Sequence, residues 1–211
     1  MEIATSVLSV TDQLGQTMKR LNMSSTDYLH LDVMDGKFVS NHTVSQMDEA
    51  VTFNQKPLDI HLMVEDVLPF IQKYQSLQPA FITFHVECGK DISSLLSMIK
   101  AQGIKAGLAL NPSTKLDQVM PYLKDIDLIL VMSVPAGYGG QRFDPKTTNR
   151  ITTLRNLRSE HGYHYQIEVD GGINRETVSM VQQADIIVSG TYIVNGNIEE
   201  RIECLRQGAK A

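Results

Sequence analysis

Short apolar runs alternate with amphipathic segments along the whole chain. Eight of the runs have the length and composition of buried strands. They begin at Ile3, Tyr28, Leu58, Phe81, Lys105, Leu128, Gln166 and Ile186. The segments between them carry apolar residues at helical spacing, for example Leu14, Met18 and Leu21. The pattern therefore predicts strands that alternate with helices from one end of the chain to the other.

Residues that favour helix ends stand at several of the predicted boundaries. Asp91 can cap the fourth helix, Asn174 can cap the seventh, and Gly162 can end the sixth. These positions support the assignment of helices between the strands.

Eight units in 211 residues leave roughly 26 residues for each unit, which suits a compact (β/α)8 TIM barrel. A doubly wound open sheet is the structural alternative, but no Gly-x-Gly-x-x-Gly follows the first strand. No Pro- or Gly-rich linker marks a boundary between domains. We therefore expect residues 1–211 to form a single barrel domain, with functional side chains at the carboxyl ends of the strands.

Composition and charge narrow the classes of partner. The chain is 42% apolar and 20% charged, as in ordinary globular domains, and its net charge of −5 gives no broad basic surface. The opening "MEIATSVLSV" has an acidic residue and no basic segment, so it does not resemble a signal peptide. No apolar run reaches transmembrane length, and two cysteines make no disulfide framework. We therefore expect a cytoplasmic protein that binds neither nucleic acid nor membranes.

Imidazole and carboxylate side chains stand at the ends of three predicted strands. In "YLHLDVMDG" the residues His30 and Asp32 are two apart, so they share one face of the strand. His61 lies near the end of the third strand, and Asp170 ends the seventh. Singly, such a His is more often a structural residue and such an Asp-Gly more often a turn. Together at one mouth of a barrel, two imidazoles and two carboxylates favour a divalent metal site.

Glycines cluster after the last three strands. They occur in "GYGGQ" from Gly137, in "DGG" from Asp170 and in "SGT" from Ser189. Tight turns alone can require glycine, but the loops after strands seven and eight are the usual phosphate site of a TIM barrel. The clustering therefore favours a phosphate-binding mouth. Met34, Met63 and Met132 also lie at or just past strand ends, where the sequence alone favours packing.

The combination of motifs resembles the ribulose-phosphate 3-epimerase family over nearly the whole chain. The matching stretches are "HLDVMDGKFV", "DIHLMVE", "TFHVE", "LALNPST", "VMSV", "GYGGQRF", "IEVDGGI" and "VSGT". The resemblance implies one divalent metal ion per chain, bound by His30, Asp32, His61 and Asp170. Zinc suits this ligand set best, and manganese, iron or cobalt could also fit. The resemblance further implies that Asp32 and Asp170 are the acid/base pair and that the protein is a homo-oligomer.

The same resemblance assigns residues to a small sugar-phosphate partner. Ser6 and His61 would contact the substrate. The loop residues that would bind the substrate and its phosphate are Gly137, Tyr138, Gly139, Gly140, Gly171, Gly172, Gly190 and Thr191. Met34, Met63 and Met132 would surround the reacting carbons and cover the charged intermediate.

Two mouth loops depart from the family pattern. Pro135 and Ala136 stand where the family usually has an acidic residue or Asn followed by Pro. Ser40, in Val39–Asn41, stands where the family usually has Pro. Both changes leave the expected ligands intact, so they concern the substrate and the geometry of the mouth more than the type of reaction.

The expected activity is the metal-dependent 3-epimerisation of a ketose phosphate, from D-ribulose 5-phosphate to D-xylulose 5-phosphate, by two aspartates through an enediolate. D-allulose-6-phosphate 3-epimerases share these motifs, so a ketohexose phosphate is the alternative substrate. A barrel of the orotidine-phosphate-decarboxylase type would need Asp-x-Lys-x-x-Asp, and the strings from Asp35 and Asp144 lack the final Asp. A non-catalytic sugar-phosphate-binding barrel would be favoured by the loss of a ligand, and none is lost.

Overall fold

Eight parallel strands close into a barrel. The computed structural model describes residues 1–10, 12–88 and 90–208. The strands are β1 (Glu2–Ser6), β2 (Tyr28–Met34), β3 (Leu58–Met63), β4 (Phe81–His85), β5 (Lys105–Leu110), β6 (Leu128–Met132), β7 (Gln166–Asp170) and β8 (Ile186–Ser189). Each strand pairs with the next along the chain, and β8 pairs with β1. The predicted (β/α)8 barrel is therefore confirmed, and every strand begins within one residue of its predicted start.

Helices surround the barrel, although two connections differ from the predicted pattern. The α-helices are α1 (Leu14–Met23), α2 (Val44–Phe53), α3 (Leu68–Tyr74), α4 (Ile92–Ala101), α5 (Thr147–His161), α6 (Thr191–Val194) and α7 (Ile198–Arg206). Short 3₁₀ turns replace an α-helix after β5 (Leu116–Gln118 and Met120–Tyr122) and after β7 (Val178–Val181). Within the described ranges, no helix is long and apolar enough to cross a membrane.

Local chemistry accounts for these two connections. The one after β5 contains Pro112 and Pro121, which cannot donate a backbone hydrogen bond. In the one after β7, the side chain of Asn174 accepts hydrogen bonds from the N–H groups of Glu176 (2.8 Å) and Thr177 (3.2 Å). Asn174 thus caps a turn, as its sequence position indicated, but the turn continues as a 3₁₀ helix.

The main apolar core lies between the barrel and its helices. Leu29, Leu31 and Val33 of β2 belong to the same buried cluster as Met18 of α1 and Met47 of α2. Because side chains alternate along a strand, His30 and Asp32 point the other way, into the barrel. The outward face of β2 therefore contributes stability, and its inward face is available for chemistry.

The interior of the barrel is layered. An apolar cluster inside the barrel contains Ala4, Phe81, Leu128, Ile186 and Val188. The β2–β3 register then pairs, in order towards the carboxyl ends, His30 with Asp59, Asp32 with His61, and Met34 with Met63. Polar pairs are thus buried deeper in the barrel than the methionine pair at its mouth.

Candidate active site

Four predicted ligands meet at the carboxyl ends of β2, β3 and β7. His30, Asp32, His61 and Asp170 each offer one ligand atom, and these atoms lie within 4.8 Å of one another. Oδ1 of Asp32 lies 3.5 Å from Nε2 of His30 and 3.5 Å from Nδ1 of His61. The other oxygen of Asp32 accepts a hydrogen bond of 2.6 Å from Ser6. The cluster therefore places two imidazoles and two carboxylates around one point.

The two imidazoles each present a free ring nitrogen to this cluster. Nε2 of His30 and Nδ1 of His61 are buried and have no hydrogen-bond partner in the described part of the chain. The opposite nitrogens are engaged: Nδ1 of His30 lies 2.5 Å from Asp59, and Nε2 of His61 lies 2.9 Å from Nε2 of His85. Buried polar atoms normally have partners. Two unpartnered nitrogens beside two carboxylates fit a divalent metal ion, so this cluster could hold one.

Electrostatics separate the proton affinities of the two aspartates. Burial opposes ionisation of Asp32, but the positive charge and hydrogen bonding of His30, with a contribution from His61, hold its pKa well below the usual range. Burial and the charge of Asp32 raise the pKa of Asp170 to about 7. Two carboxyl groups with such different pKa values can act as a base and an acid at neutral pH.

The two histidines also differ. Burial disfavours the charged form of His30, but the carboxylates of Asp59 and Asp32 outweigh it and raise the His30 pKa well above its ordinary value. Burial lowers the pKa of His61 to about 4. His61 is therefore neutral at physiological pH, which is the form that binds a metal ion.

A pocket of about 640 Å³ opens above this cluster. Asp32 and Asp170 reach its wall, whereas His30 and His61 are fully buried beneath it. The other expected site residues that line the pocket are Ser6, Met34, Met63, Met132, Gly137, Tyr138, Gly139, Gly140, Gly171, Gly172, Gly190 and Thr191. The structure thus brings together every residue that the sequence assigned to the site.

The glycine loops after β6, β7 and β8 pack closely at one side of the pocket. Gly172 has a φ of +66°, and a Cβ there would lie 2.4 Å from the backbone nitrogen of Phe143. A Cβ on Gly190 would lie 3.0 Å from the carbonyl oxygen of Ser6. The absence of side chains therefore lets these backbones approach one another and the pocket.

The mouth loops that depart from the family pattern contact each other. The hydroxyl groups of Ser40 and Tyr138 are 2.8 Å apart, and the side-chain amide of Asn41 donates a 3.0 Å hydrogen bond to the carbonyl of Gly137. Ser40 supplies a hydroxyl where Pro would have none. These contacts join the loop after β2 to the loop after β6 across the mouth.

The sequence analysis missed four polar residues around the cluster, of which Asp59, His85 and Glu168 are buried and Glu87 is partly buried. Asp59 and Glu168 lie two residues before His61 and Asp170, so they share the inward face of the same strands. His85 ends β4, and Glu87 lies in the turn that follows it. The period-two pattern that indicated His30 and Asp32 as candidate ligands could have indicated Asp59, His85 and Glu168 as well.

Fold and site together define a TIM-barrel protein with a candidate metal centre and a pocket at its carboxyl-terminal mouth. Solved structures share the fold. The 3-keto-L-gulonate-6-phosphate decarboxylase of Vibrio cholerae matches with a TM-score of 0.66 at 11% identity, covering 99% of this chain and 96% of that one. The 3-hexulose-6-phosphate synthase of Salmonella typhimurium matches with a TM-score of 0.64 at 16% identity, covering 99% and 98%. At these identities the likeness concerns the fold alone.

Sequence comparison is more specific. The model of the ribulose-phosphate 3 epimerase family matches residues 2–194. Proteins named ribulose-phosphate 3-epimerase are 36% identical in Helicobacter pylori, over 92% of this chain and 90% of that protein, and 34% identical in Methanocaldococcus jannaschii, over 99% and 91%. The Escherichia coli protein of that name is 34% identical over 90% and 88%. The chain belongs to the ribulose-phosphate 3-epimerase family and is an epimerase, an enzyme of the isomerase class.

Proposed function

We propose that this protein interconverts D-ribulose 5-phosphate and D-xylulose 5-phosphate by moving a proton at C3. The observation that carries the proposal is the pair Asp32 and Asp170, which lie in one cluster but have pKa values shifted in opposite directions. Epimerisation needs one group that accepts a proton and another that donates one. The names of the relatives support the ketopentose phosphate as substrate.

The ligands of one divalent metal ion would be His30, Asp32, His61 and Asp170. The free ring nitrogens of the two histidines support this assignment. When bound, such an ion supplies stabilisation of the negative charge that develops on the substrate oxygens as a proton leaves the neighbouring carbon. Zinc is the proposed ion because mixed imidazole and carboxylate ligands suit it.

The two aspartates would work from different sides of the substrate, since β2 and β7 are not neighbours in the barrel. In one direction of the reaction, ionised Asp32 takes the proton from C3, and protonated Asp170 returns one to the other face. In the reverse direction the two groups exchange roles. The hydrogen bond from Ser6 to Asp32 would hold that carboxylate in place beneath the substrate.

The remaining site residues would bind and enclose the sugar phosphate. The glycine loops Gly137–Gly140, Gly171–Gly172 and Gly190–Thr191 would hold the phosphate with backbone groups. Met34, Met63 and Met132 line the pocket beside the aspartates and would exclude water from the reacting carbons. Tyr138 would close the mouth through its contact with Ser40.

Three broader expectations belong to the same proposal. We propose that residues 1–211 act as one domain, because all eight strands contribute to one barrel. Homo-oligomerisation and a cytoplasmic location stay predictions. Light scattering and localisation of the tagged protein would test them.

Initial rates on both candidate sugar phosphates test the proposed reaction. The zinc-loaded protein should epimerise D-ribulose 5-phosphate faster than D-allulose 6-phosphate, and exhaustive chelation should abolish turnover. Faster turnover of the ketohexose phosphate would assign that substrate instead. Binding of both compounds without turnover would support a non-catalytic barrel. Full activity after chelation, with no metal left by elemental analysis, would overturn the metal site.

A further inference from the structure

A series of hydrogen bonds, buried at its two histidines, leads away from His61 on the side opposite the His30–Asp32–His61–Asp170 cluster. Nε2 of His61 lies 2.9 Å from Nε2 of His85, and Nδ1 of His85 lies 3.0 Å from Oε2 of Glu87. Both histidines are fully buried. These hydrogen bonds therefore connect His61, near the end of β3, through His85 on β4 to the carboxylate of Glu87 in the following turn.

Glu87 is held as an ionised acceptor. Its Oε1 accepts hydrogen bonds from the N–H of Asn111, at 2.8 Å, and from the hydroxyl of Thr114. Burial alone would raise the pKa of Glu87, but the contact with His85 and these donors lower it to about 2. An ionised carboxylate can only accept hydrogen bonds. Nδ1 of His85 must therefore carry the proton in its contact with Glu87.

The donor role of Nδ1 of His85 determines which nitrogen donates in the contact between His85 and His61. In a neutral imidazole one nitrogen donates and the other accepts. If His85 donates from Nδ1, its Nε2 accepts, and the proton of the 2.9 Å contact belongs to Nε2 of His61. Nδ1 of His61 then carries a lone pair, and it is the atom that faces Asp32 and the cluster. The reverse polarity would put a proton on Nδ1 and block that nitrogen as a ligand.

One neighbouring contact opposes this polarity. The side-chain amide of Asn111 lies 3.4 Å from Nδ1 of His85, and it would need that nitrogen as an acceptor. The contact with Glu87 is shorter, at 3.0 Å, and involves a charged acceptor, so it is the stronger of the two. The oxygen of the Asn111 amide is engaged elsewhere, since it accepts a 3.0 Å hydrogen bond from the N–H of Ala136 in the mouth loop.

We propose that Glu87 and His85 are positioning residues that fix His61 as its Nε2–H tautomer and thereby keep Nδ1 free to bind the metal ion. The inference rests on the proposed function, because it takes His61 as a metal ligand. Neither residue touches the pocket, so both act through His61. Partners of this kind behind a ligating histidine typically change metal affinity by roughly 10–100-fold when they are removed.

Two variants of His85 distinguish the effect of its hydrogen bond to His61 from the effect of its bulk. His85→Gln keeps a side-chain oxygen that can accept from Nε2 of His61, whereas His85→Leu keeps bulk and removes the acceptor. We expect His85→Leu to weaken zinc binding by roughly 10–100-fold. His85→Gln should bind zinc nearly as tightly as the wild type, because it keeps an acceptor for Nε2 of His61. Glu87→Gln should weaken zinc binding by roughly 10-fold or more, because an amide accepts a hydrogen bond from His85 less strongly than a carboxylate does. Glu160→Gln, on the exposed end of α5, is the matched control and should bind zinc as the wild type does.

The tautomer is measured directly on the zinc-loaded full chain with ¹⁵N-labelled histidine. The wild-type spectrum should show His61 protonated at Nε2, and competition with a chromophoric chelator should give the zinc affinities. Protonation of His61 at Nδ1 in the wild type would overturn the inference even if His85→Leu fails to fold. Wild-type zinc affinity in both His85→Leu and Glu87→Gln would also overturn it.

His61→Ala distinguishes this inference from the metal site itself. If His61→Ala loses zinc while the His85 and Glu87 variants keep wild-type affinity, the metal site stands and the positioning role fails. If His61→Ala keeps wild-type zinc affinity, His61 is not a ligand, and the proposed ligand set and the inference fail together.

Discussion

Asp59 accepts a hydrogen bond from Nδ1 of His30, with the two atoms 2.5 Å apart inside the barrel. The two residues are partners in the β2–β3 register, and both are buried. This contact turns Nε2 of His30 towards Asp32 and the cluster. We therefore expect Asp59→Asn to lower zinc affinity by roughly 10–100-fold, because an amide accepts more weakly and can rotate to donate. Competition with a chelator measures the change.

Glu168 supplies the matched control for Asp59. It lies in the same buried group as His30 and Asp59, and burial and the charge of Asp59 raise its pKa well above the ordinary value. Burial and the charge of Asp59 thus favour the protonated, neutral form of this carboxyl group, and Glu168→Gln has the same size and charge as that form. Zinc affinity should stay at the wild-type level in this variant. A loss equal to that of Asp59→Asn would contradict the distinct roles of the two carboxyl groups.

Metal binding should release more protons at pH 6 than at pH 8. The pKa of Asp170, raised to about 7, leaves this group mostly protonated at pH 6 and mostly ionised at pH 8. Zinc binds the ionised carboxylate in preference to the protonated one, so zinc binding displaces the proton of Asp170 at the lower pH. The raised pKa thus makes protons compete with the metal, and zinc affinity should rise as the pH rises through 7. His30, whose pKa is also raised, adds to the release.

Calorimetry in two buffers of different ionisation enthalpy counts these protons. We expect roughly one more proton released at pH 6 than at pH 8. Asp170→Asn should remove that difference, provided that the variant still binds zinc. Equal proton release by the wild type at the two pH values would contradict the raised pKa.

Gly172 and Gly140 should respond differently to alanine. Both have positive φ angles, +66° and +73°, so alanine is strained at either position by about 1–2 kcal/mol. At Gly172 the new Cβ would also meet the backbone nitrogen of Phe143 at 2.4 Å, whereas at Gly140 it would enter open space within the described structure. Gly172→Ala should therefore lower the unfolding temperature further and raise the KM for the sugar phosphate more. Equal effects would show that the β6 and β7 loops are not packed as described.

The Ser40–Tyr138 contact should contribute to substrate retention. Tyr138 is 57% exposed, and its hydroxyl is 2.8 Å from that of Ser40. A neutral hydrogen bond contributes about 0.5–1.5 kcal/mol, so Tyr138→Phe and Ser40→Ala should each raise KM by roughly 2- to 10-fold. Because they remove the same bond, the double variant should be no worse than either single one. Additive effects in steady-state kinetics would mean that the two hydroxyls act independently.

The strands and the clustering of His30, Asp32, His61 and Asp170 could be predicted because both depend on local periodicity. Alternation of side chains identified the strands, and the same alternation placed His30 and Asp32 on one face. The rule that barrel sites lie at the carboxyl ends of strands then brought His61 and Asp170 to the same mouth. These inferences needed no knowledge of distant contacts.

The surroundings of this cluster depend on contacts between separate elements. Ser40 and Tyr138 are 98 positions apart, and nothing local to either residue indicates their hydrogen bond. The role of Asp59 follows from the β2–β3 register, which places it beside His30. The 3₁₀ turns after β5 and β7 were also missed, because apolar spacing over a short segment does not distinguish them from an α-helix.

The central claim is that Asp32 and Asp170 exchange protons with opposite faces of C3. Its most direct test is NMR of the zinc-loaded wild type, Asp32→Asn and Asp170→Asn, each incubated with either epimer in deuterated water. The wild type should place deuterium at C3 of both epimers. Each variant, with its metal content verified, should epimerise at least ~10²-fold more slowly. The two variants should exchange deuterium preferentially into different epimers. Near wild-type interconversion by both metal-containing variants would contradict the two-aspartate mechanism.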